Sequence, residues 1–571
     1  MSTARARPWI WPVLIGLLAI AASIGGIRNQ YAQDDIAIVW KNTAMHDLRG
    51  IGQFFVSSYW PPPFVAALYR PLTSVSLALQ WAAGDGSPLA FRLVSYVLYA
   101  LTSVTVFRLA RTQLPLAAAV ASAALFAVHP VHVEAVALGV NQNELWVGLI
   151  ACVMVMVYLR DRTRGGPVSP RALWQLCLLY LTACLLKENA LVLPALLPAA
   201  ELVLVRSTAP LRIRISQTRL LLLLLGALGL AFYWIRIRVL SGSLAGTFTA
   251  EGLVGLSATG RALTMLGVVP HWFRLLFWPE HLQADYSPGE IVGTSSWGAM
   301  QTFGAILILF SVVTAVAARK RAPMITFGLA WLAVALLPVH NVLLPTGIVL
   351  AERTLFLPSI GVFFALGGLV AFVLERIRRP LRVAVAGLTA ALLALGIYRS
   401  FLRHQVWSDQ FKLWYVTANH DAPTSFRAHE AMADSYWYID LERQAEREYR
   451  LAMQLAPPAF TGPMLNYAHR LRSRGNCYPA ADLYRKALQI RPGAMPGLAP
   501  LIACLLDLGR YREAAAQTRI AIAYAWRQPF FQQLLATADS AQRVQAPPGT
   551  VKVNIPEKDE LYRYVTIGKA R

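Results

Sequence analysis

The sequence predicts an all-α chain, a polytopic membrane bundle of about eleven helices followed by an α-solenoid of helix hairpins. Three observations predict it: a strongly apolar composition, eleven apolar runs long enough to cross a bilayer, and a C-terminal pattern that recurs every 34 or 35 residues.

Of 571 residues, 56% are hydrophobic and 15% charged, and the mean hydropathy is +0.47. Such a chain takes the lipid bilayer as its solvent. A net charge of +23 would suit nucleic acid if it lay on one face. The arginines instead form short clusters between apolar stretches, so no nucleic-acid partner is expected. The five cysteines show no C-x-x-C pair and no metal-ligand spacing; Cys152, Cys177 and Cys184 lie in apolar runs, and Cys477 and Cys504, which could pair if the repeat region is extracytoplasmic, read rather as free thiols.

The runs lie near 9–27, 88–107, 115–134, 144–159, 172–186, 190–205, 220–238, 299–318, 324–340, 354–374 and 383–401. The first resembles a signal peptide but is long enough to span and has no small-residue cleavage site, so it reads as a retained anchor. Alternating the sides puts Arg5, Arg7, Arg108, Arg111 and the clusters within 160–171, 206–219, 319–321 and 376–382 on one face, which the positive-inside rule makes cytoplasmic. The C-terminal region then lies outside. Most acidic residues before residue 402 fall on the external side; Asp161, Glu201 and Glu375 are the exceptions. Loop solvation suffices for Asp47, Asp85, Glu251, Glu280 and Glu290, while chemistry on that face is a reason for the others.

From about residue 424 the repeat pattern begins. Ala445, Ala480 and Ala514 share a phase, as do Ala452, Ala487 and Ala521, and Pro457 pairs with Pro492. Small residues let the two helices of a hairpin approach closely, and the prolines end the second helix. The division expected is a membrane domain 1–402, about three extracytoplasmic repeats within 403–540, and a weakly ordered tail 541–571. The solenoid would hold a protein or peptide on its concave surface, or act as a rigid spacer.

Candidate chemistry clusters at the external ends of the runs. Asp34 and Asp35 follow the first run, and a long loop then carries Asn42, the Trp60-Pro61-Pro62-Pro63 run and Tyr69-Arg70-Pro71-Leu72-Thr73. Adjacent carboxylates repel each other, so the pair suits proton acceptance from a hydroxyl. His129-Pro130-Val131-His132-Val133-Glu134 and Asn141-Gln142-Asn143-Glu144 follow the third run. The histidine spacing would serve metal or phosphate, but without a third ligand no metal site is assigned. Lys187-Glu188-Asn189 forms a charged tip between two apolar runs, and Glu352-Arg353 opens the tenth. Ionisable residues at membrane depth call for a functional pairing, with snorkelling the competing explanation. Arg70, Lys187, Arg353, His129 and His132 could receive an anion, Glu352 could fix Arg353, and the carboxylates could act as bases. That set fits a phosphate leaving group and a hydroxyl nucleophile.

The order of these motifs, with Trp-Pro-x-x-Leu-x-x-Asp-Tyr at Trp278–Tyr286, Ala-Glu-Arg-x-Leu-x-Leu-Pro-Ser at Ala351–Ser359 and repeats such as Leu483–Leu488 and Gly509–Ala514, resembles a known family. It is that of the transmembrane and tetratricopeptide-repeat O-mannosyltransferases and their bacterial relatives, within the integral-membrane GT-C glycosyltransferases. Asn141-Gln142-Asn143-Glu144 stands where the family usually has Gly-Arg-Ala-Asp, and Lys187-Glu188-Asn189 where it has Lys-Glu-Gln.

The resemblance implies a polyprenyl-phosphate-linked sugar as donor and inverting transfer to an acceptor hydroxyl, such as a protein Ser or Thr presented by the repeats. Asp34 would be the general base, with Asp35 orienting the hydroxyl or sharing the role. Arg70, Lys187 and Arg353, with His129 and His132, would bind the donor phosphate. Glu134, Glu144, Glu188, Glu352 and Asp285 would orient sugar or acceptor. No cofactor is firmly implied; a divalent cation is compatible. The external regions carry no Asn-x-Ser/Thr sequon and the repeat array is short, which points to a bacterial inner membrane with the N-terminus cytoplasmic. A ligase or polymerase of the O-antigen ligase type, and a non-catalytic scaffold that recruits proteins through its repeats, stay open as alternatives.

Overall fold

The computed structural model describes residues 9–61, 68–240, 249–524 and 528–555. Arg5, Arg7, Pro62, Pro63 and residues 556–571 of the tail lie outside the described residues. Two compact units result: Met1–Trp60, Ala66–Ala284 and Gly293–Val416 form the first, and Pro61–Val65, Asp285–Val292 and Thr417–Arg571 the second. The fold is all-α, and the described residues contain no strand.

The first unit contains α1 (Ile10–Ser23), α2 (Pro71–Gly84), α3 (Pro88–Arg111), α4 (Leu116–Ala127), α5 (Val133–Ala137), α6 (Gln142–Arg162), α7 (Pro170–Leu186) and α8 (Leu196–Val203). It continues with α9 (Leu211–Val239), α10 (Ala258–Phe277), α11 (Ala299–Ala318), α12 (Pro323–Leu336), α13 (Phe356–Leu374), α14 (Arg379–Val406) and α15 (Gln410–Val416). Among the described residues six helices are long and apolar enough to cross a membrane, and α4 with α5 makes a seventh that bends by 46°. Shorter apolar helices cover Ile10–Gly26, Pro170–Leu186 and Pro323–Val339. This is a multi-pass membrane protein.

Two of the eleven runs are not continuous helices: 115–134 is the bent α4–α5 pair, and 190–205 departs further. Residues 190–205 do not form a continuous helix but a 3-10 turn, Glu188–Ala195, followed by the eight-residue α8. Pro194 and Pro198, which lack amide donors, account for the break. Conversely α10, 20 residues long and carrying Arg261, His271 and Arg274, matches no expected run.

Large apolar side chains remain exposed along α9 and α11, among them Leu223, Leu230, Leu309, Phe310 and Val316. A lipid-facing helix does this, because hydrocarbon offers no hydrophobic drive to bury them. Association there relies on close packing. Gly328 of α12 and Gly361 of α13 lie against each other, so that a methyl group on either would strike the other's carbonyl oxygen. Phe356 meets Phe126 and His132 edge-on beside that pair of helices, and Phe363 meets Phe126 in the same way.

In the second unit α16 (Phe426–Tyr438) pairs with α17 (Glu442–Leu455), α18 (Gly462–Ser473) with α19 (Cys477–Ile490), and α20 (Met495–Asp507) with α21 (Tyr511–Tyr524); α22 (Gln528–Arg543) follows. Ala445, Ala452, Ala480, Ala487, Ala514 and Ala521 are all fully buried between helices. Pro457 and Pro492 each stand two residues beyond the end of a second hairpin helix. Cys477 and Cys504 are buried free thiols. Val551 and Val553, from the segment expected to be weakly ordered, pack against this core.

Candidate functional site

The site is assembled where helices of the first unit are interrupted. Arg70 is the N-cap of α2, Lys187 the C-cap of α7, and Glu188 opens the 3-10 turn that follows. Glu134 lies in the short α5 beyond the bend, Glu144 in the first turn of α6, and Arg353 in a 3-10 turn ahead of α13. Helix ends leave backbone groups unsatisfied, so they tolerate charge where a continuous helix in hydrocarbon does not.

Three cation–carboxylate pairs result. Arg70 donates to Glu188 through Nε at 2.9 Å and Nη2 at 2.5 Å. Lys187 pairs with Glu144, and its ammonium also donates to Asn143 Oδ1 at 3.3 Å. Arg353 pairs with Glu134, whose other oxygen accepts from the Arg353 backbone amide at 2.8 Å. The pairs form one electrostatic neighbourhood: Arg353 feels Asp34, Glu134 and Glu144, while Arg70 feels Glu188 and Glu144. Burial alone would raise the Glu188 carboxyl, yet Arg70 outweighs it and holds the group down at about 2. Burial takes the Lys187 ammonium below the ordinary lysine range, with Glu144 opposing the shift.

The adjacent acids Asp34 and Asp35 have different surroundings. Asp35 is fully buried; its carboxylate accepts from the amides of Gly139 and Val140, each at 2.9 Å, and lies 3.5 Å from Arg92. Burial raises its carboxyl above the usual range, with Arg92 and the two amides opposing. Its contacts are those of a brace between the first loop and the turn before α6. Asp34 is part-exposed and is the member of the pair felt by Arg353.

Four other candidates are placed elsewhere. His132 is buried between Tyr99 Oη at 2.9 Å and Ser359 Oγ at 2.8 Å, so both ring nitrogens are engaged within the aromatic core. His129 Nδ1 accepts from the Val131 amide at 3.4 Å, and its ring packs on Phe363. Glu352 does not fix Arg353, as its adjacency suggested; it is buried, accepts from the Gln283 amide at 2.5 Å and lies 3.8 Å from Arg403. Asp285 belongs to the second unit, where it accepts from the hydroxyl of Ser425, the N-cap of α16, at 2.7 Å. Among the described residues no group of His, Cys, Asp and Glu is arranged to hold a metal ion.

Sequence reading missed Arg92, Arg403 and Tyr59. An arginine within an apolar run was a readable signal for Arg92, whereas Tyr59 carries no such mark.

No protein-family model matches the chain. It is 23% identical to protein O-mannosyl-transferase TMTC3 of Homo sapiens over 538 residues, which covers 80% of this chain and 58% of that one. The Mus musculus TMTC3 is 24% identical over 541 residues, with the same coverage. Protein O-mannosyl-transferase Tmtc2 of Drosophila melanogaster is 30% identical over 312 residues, 52% of this chain and 33% of its own. The chain thus spans less than two thirds of the length of these relatives.

Proposed function

We propose that this chain, a membrane protein of the transmembrane and tetratricopeptide-repeat O-mannosyltransferase-like kind, moves a monosaccharide from a polyprenyl-phosphate carrier to an acceptor hydroxyl. The relatives' names make mannose the first sugar to test and a protein Ser or Thr the first acceptor. One observation carries the reading: a part-exposed carboxylate, Asp34, stands in the electrostatic reach of Arg353 among cations that are themselves held in place by buried acids.

Asp34 takes the proton of the acceptor hydroxyl as its oxygen attacks the anomeric carbon. The bond from that carbon to the phosphate oxygen breaks on the opposite side, and its electron pair leaves with the polyprenyl phosphate, which inverts the anomeric centre. Arg70, Lys187 and Arg353 meet the charge that develops on the leaving phosphate. Their carboxylate partners fix them beforehand, so little reorganisation is needed during the reaction. Asp35 positions Asp34 through the backbone and does not share its proton. Transfer takes place on the extracytoplasmic face, with the N-terminus cytoplasmic and the repeats outside binding the acceptor.

The test is transfer of mannose from polyprenyl-phosphate mannose to Ser/Thr peptides by the purified protein. Asp34→Asn abolishes transfer while the protein remains folded, as a cooperative thermal transition would show. Undiminished transfer by this variant would remove Asp34 as base, and no transfer by the parent from any polyprenyl-phosphate sugar would remove the reading itself.

A further inference from the structure

Tyr59 is held in the first unit by its backbone amide, which donates to the Leu68 carbonyl at 2.8 Å. Its side chain is 4% exposed, and its hydroxyl has no hydrogen-bond partner among the described residues. A buried hydroxyl without a partner is destabilising, and phenylalanine would fill the same space without that defect. The position therefore asks for a ligand atom. Its surroundings say which kind. The Arg70 guanidinium lies over the ring, 5.3 Å from its centre, and the phenol also feels Asp34, Asp35 and Glu188. Arg70 carries its positive charge over this ring, and an atom that comes to rest beside both the guanidinium and the phenol O–H is served best by an anionic acceptor.

We propose that Tyr59 is a donor-binding residue whose hydroxyl donates to a non-bridging phosphate oxygen of the lipid carrier that Arg70 also binds. This rests on the transferase reading above for the identity of the lipid, but not for the phosphate chemistry. Burial lifts the phenol above its ordinary range, with Arg70 opposing, which keeps the proton on the oxygen at neutral pH. Tyr59 and Arg70 then divide the recognition. Arg70 supplies charge, and Tyr59 supplies a directional contact that distinguishes a phosphate seated against the ring from one merely attracted to the cluster.

The experiment compares the full-length parent with Tyr59→Phe in detergent, measuring the affinity for farnesyl phosphate, farnesol and inorganic phosphate together with the ligand-free melting temperature. Loss of one hydrogen bond to a charged group is expected to weaken farnesyl phosphate binding about tenfold or more. Farnesol binding should be unchanged, and the ligand-free melting temperature equal or higher. Unaltered farnesyl phosphate affinity, an equal loss for farnesol, or a parent that binds no farnesyl phosphate overturns the proposal. Inorganic phosphate competing as well as farnesyl phosphate would assign the contact to free phosphate and overturn its lipid part. Binding is read without turnover, so a parent that binds farnesyl phosphate in a Tyr59-dependent way yet transfers no sugar sinks the transferase reading alone.

Discussion

Glu134 holds Arg353 at two points, accepting from its backbone amide with one carboxylate oxygen and pairing with its guanidinium through the other. The residues are 219 positions apart in sequence, and Glu134 is 1% exposed. The contact therefore fixes both the fold of the turn before α13 and the direction of the cation.

Glu134→Gln should lower stability by roughly 3–5 kcal/mol, the usual result of removing one partner of a buried ion pair. Transfer should fall about a hundredfold or more, since Arg353 is no longer held in position. Thermal unfolding and initial rates on the same preparation check both, and unaltered rates would separate Arg353 from the reaction.

Lys187 and Glu144 provide a double-variant test. Lys187→Gln alone leaves the Glu144 carboxylate buried beside a neutral group and should be strongly destabilising. Adding Glu144→Gln should restore most of the lost melting temperature, because no uncompensated charge remains. Transfer should not return with it. Recovery of activity in the double variant would show that neither charge is used.

Asp34 and Asp35 should differ in what they lose. Asp35→Ala removes the acceptor for two amides and the partner of Arg92, and each buried group left unsatisfied costs about 1–3 kcal/mol. Its melting temperature should fall sharply, and further than that of Asp34→Asn, whose main loss is in rate. Thermal scans paired with transfer assays decide between them, and a stable, inactive Asp35→Asn would return Asp35 to the chemistry.

In the first repeat hairpin His429 Nδ1 lies 2.6 Å from Glu448. Burial would lower the imidazole, but the Glu448 contact prevails and holds it above its ordinary 6.5. A group raised on folding stabilises fully below its unfolded value and loses that contribution as pH rises through its folded value. The melting-temperature gap between parent and His429→Gln should thus be widest below pH 6.5 and narrow on going alkaline. A gap that widens instead would mean that the neutral ring makes the contact.

Gly361→Val should disrupt the crossing of α12 and α13, where the added methyl groups would strike the Gly328 carbonyl and the Leu332 amide. Overpacking of this kind commonly costs about 1–3 kcal/mol. The effect should reach Arg353, which lies one turn ahead of α13, and so appear in donor affinity as well as in melting temperature.

What could be read from the sequence followed from its spacing. Apolar runs announce themselves because hydrocarbon demands about 20 residues of one character, and the in-phase alanines of the repeats mark positions where helices touch. Lys187 and Arg353 were visible as charges at the ends of apolar runs and Arg70 as a charge in the first long loop, so each cation could be read. Its partner could not. Glu352 stands next to Arg353 but pairs with Arg403, while Glu134 comes from a different helix. His129 and His132 looked like anion ligands because an imidazole in a motif carries no sign of which way it points; Tyr99 and Ser359, which occupy His132, are distant in sequence. The equal appearance of Asp34 and Asp35 conceals a difference set by two amides over 100 residues away.

The charged side chains stand on caps and short turns, while Gly328 and Gly361 lie within longer helices, and the buried pairs of Glu134 with Arg353 and of Glu144 with Lys187 tie the one set to the other. Substitutions at exposed cap positions need not disturb how the bundle packs, whereas those within the buried ion pairs do. Asn141–Glu144, divergent from the usual pattern at the start of α6, is buried throughout, so a change there has to be matched by its partners, Lys187 above all.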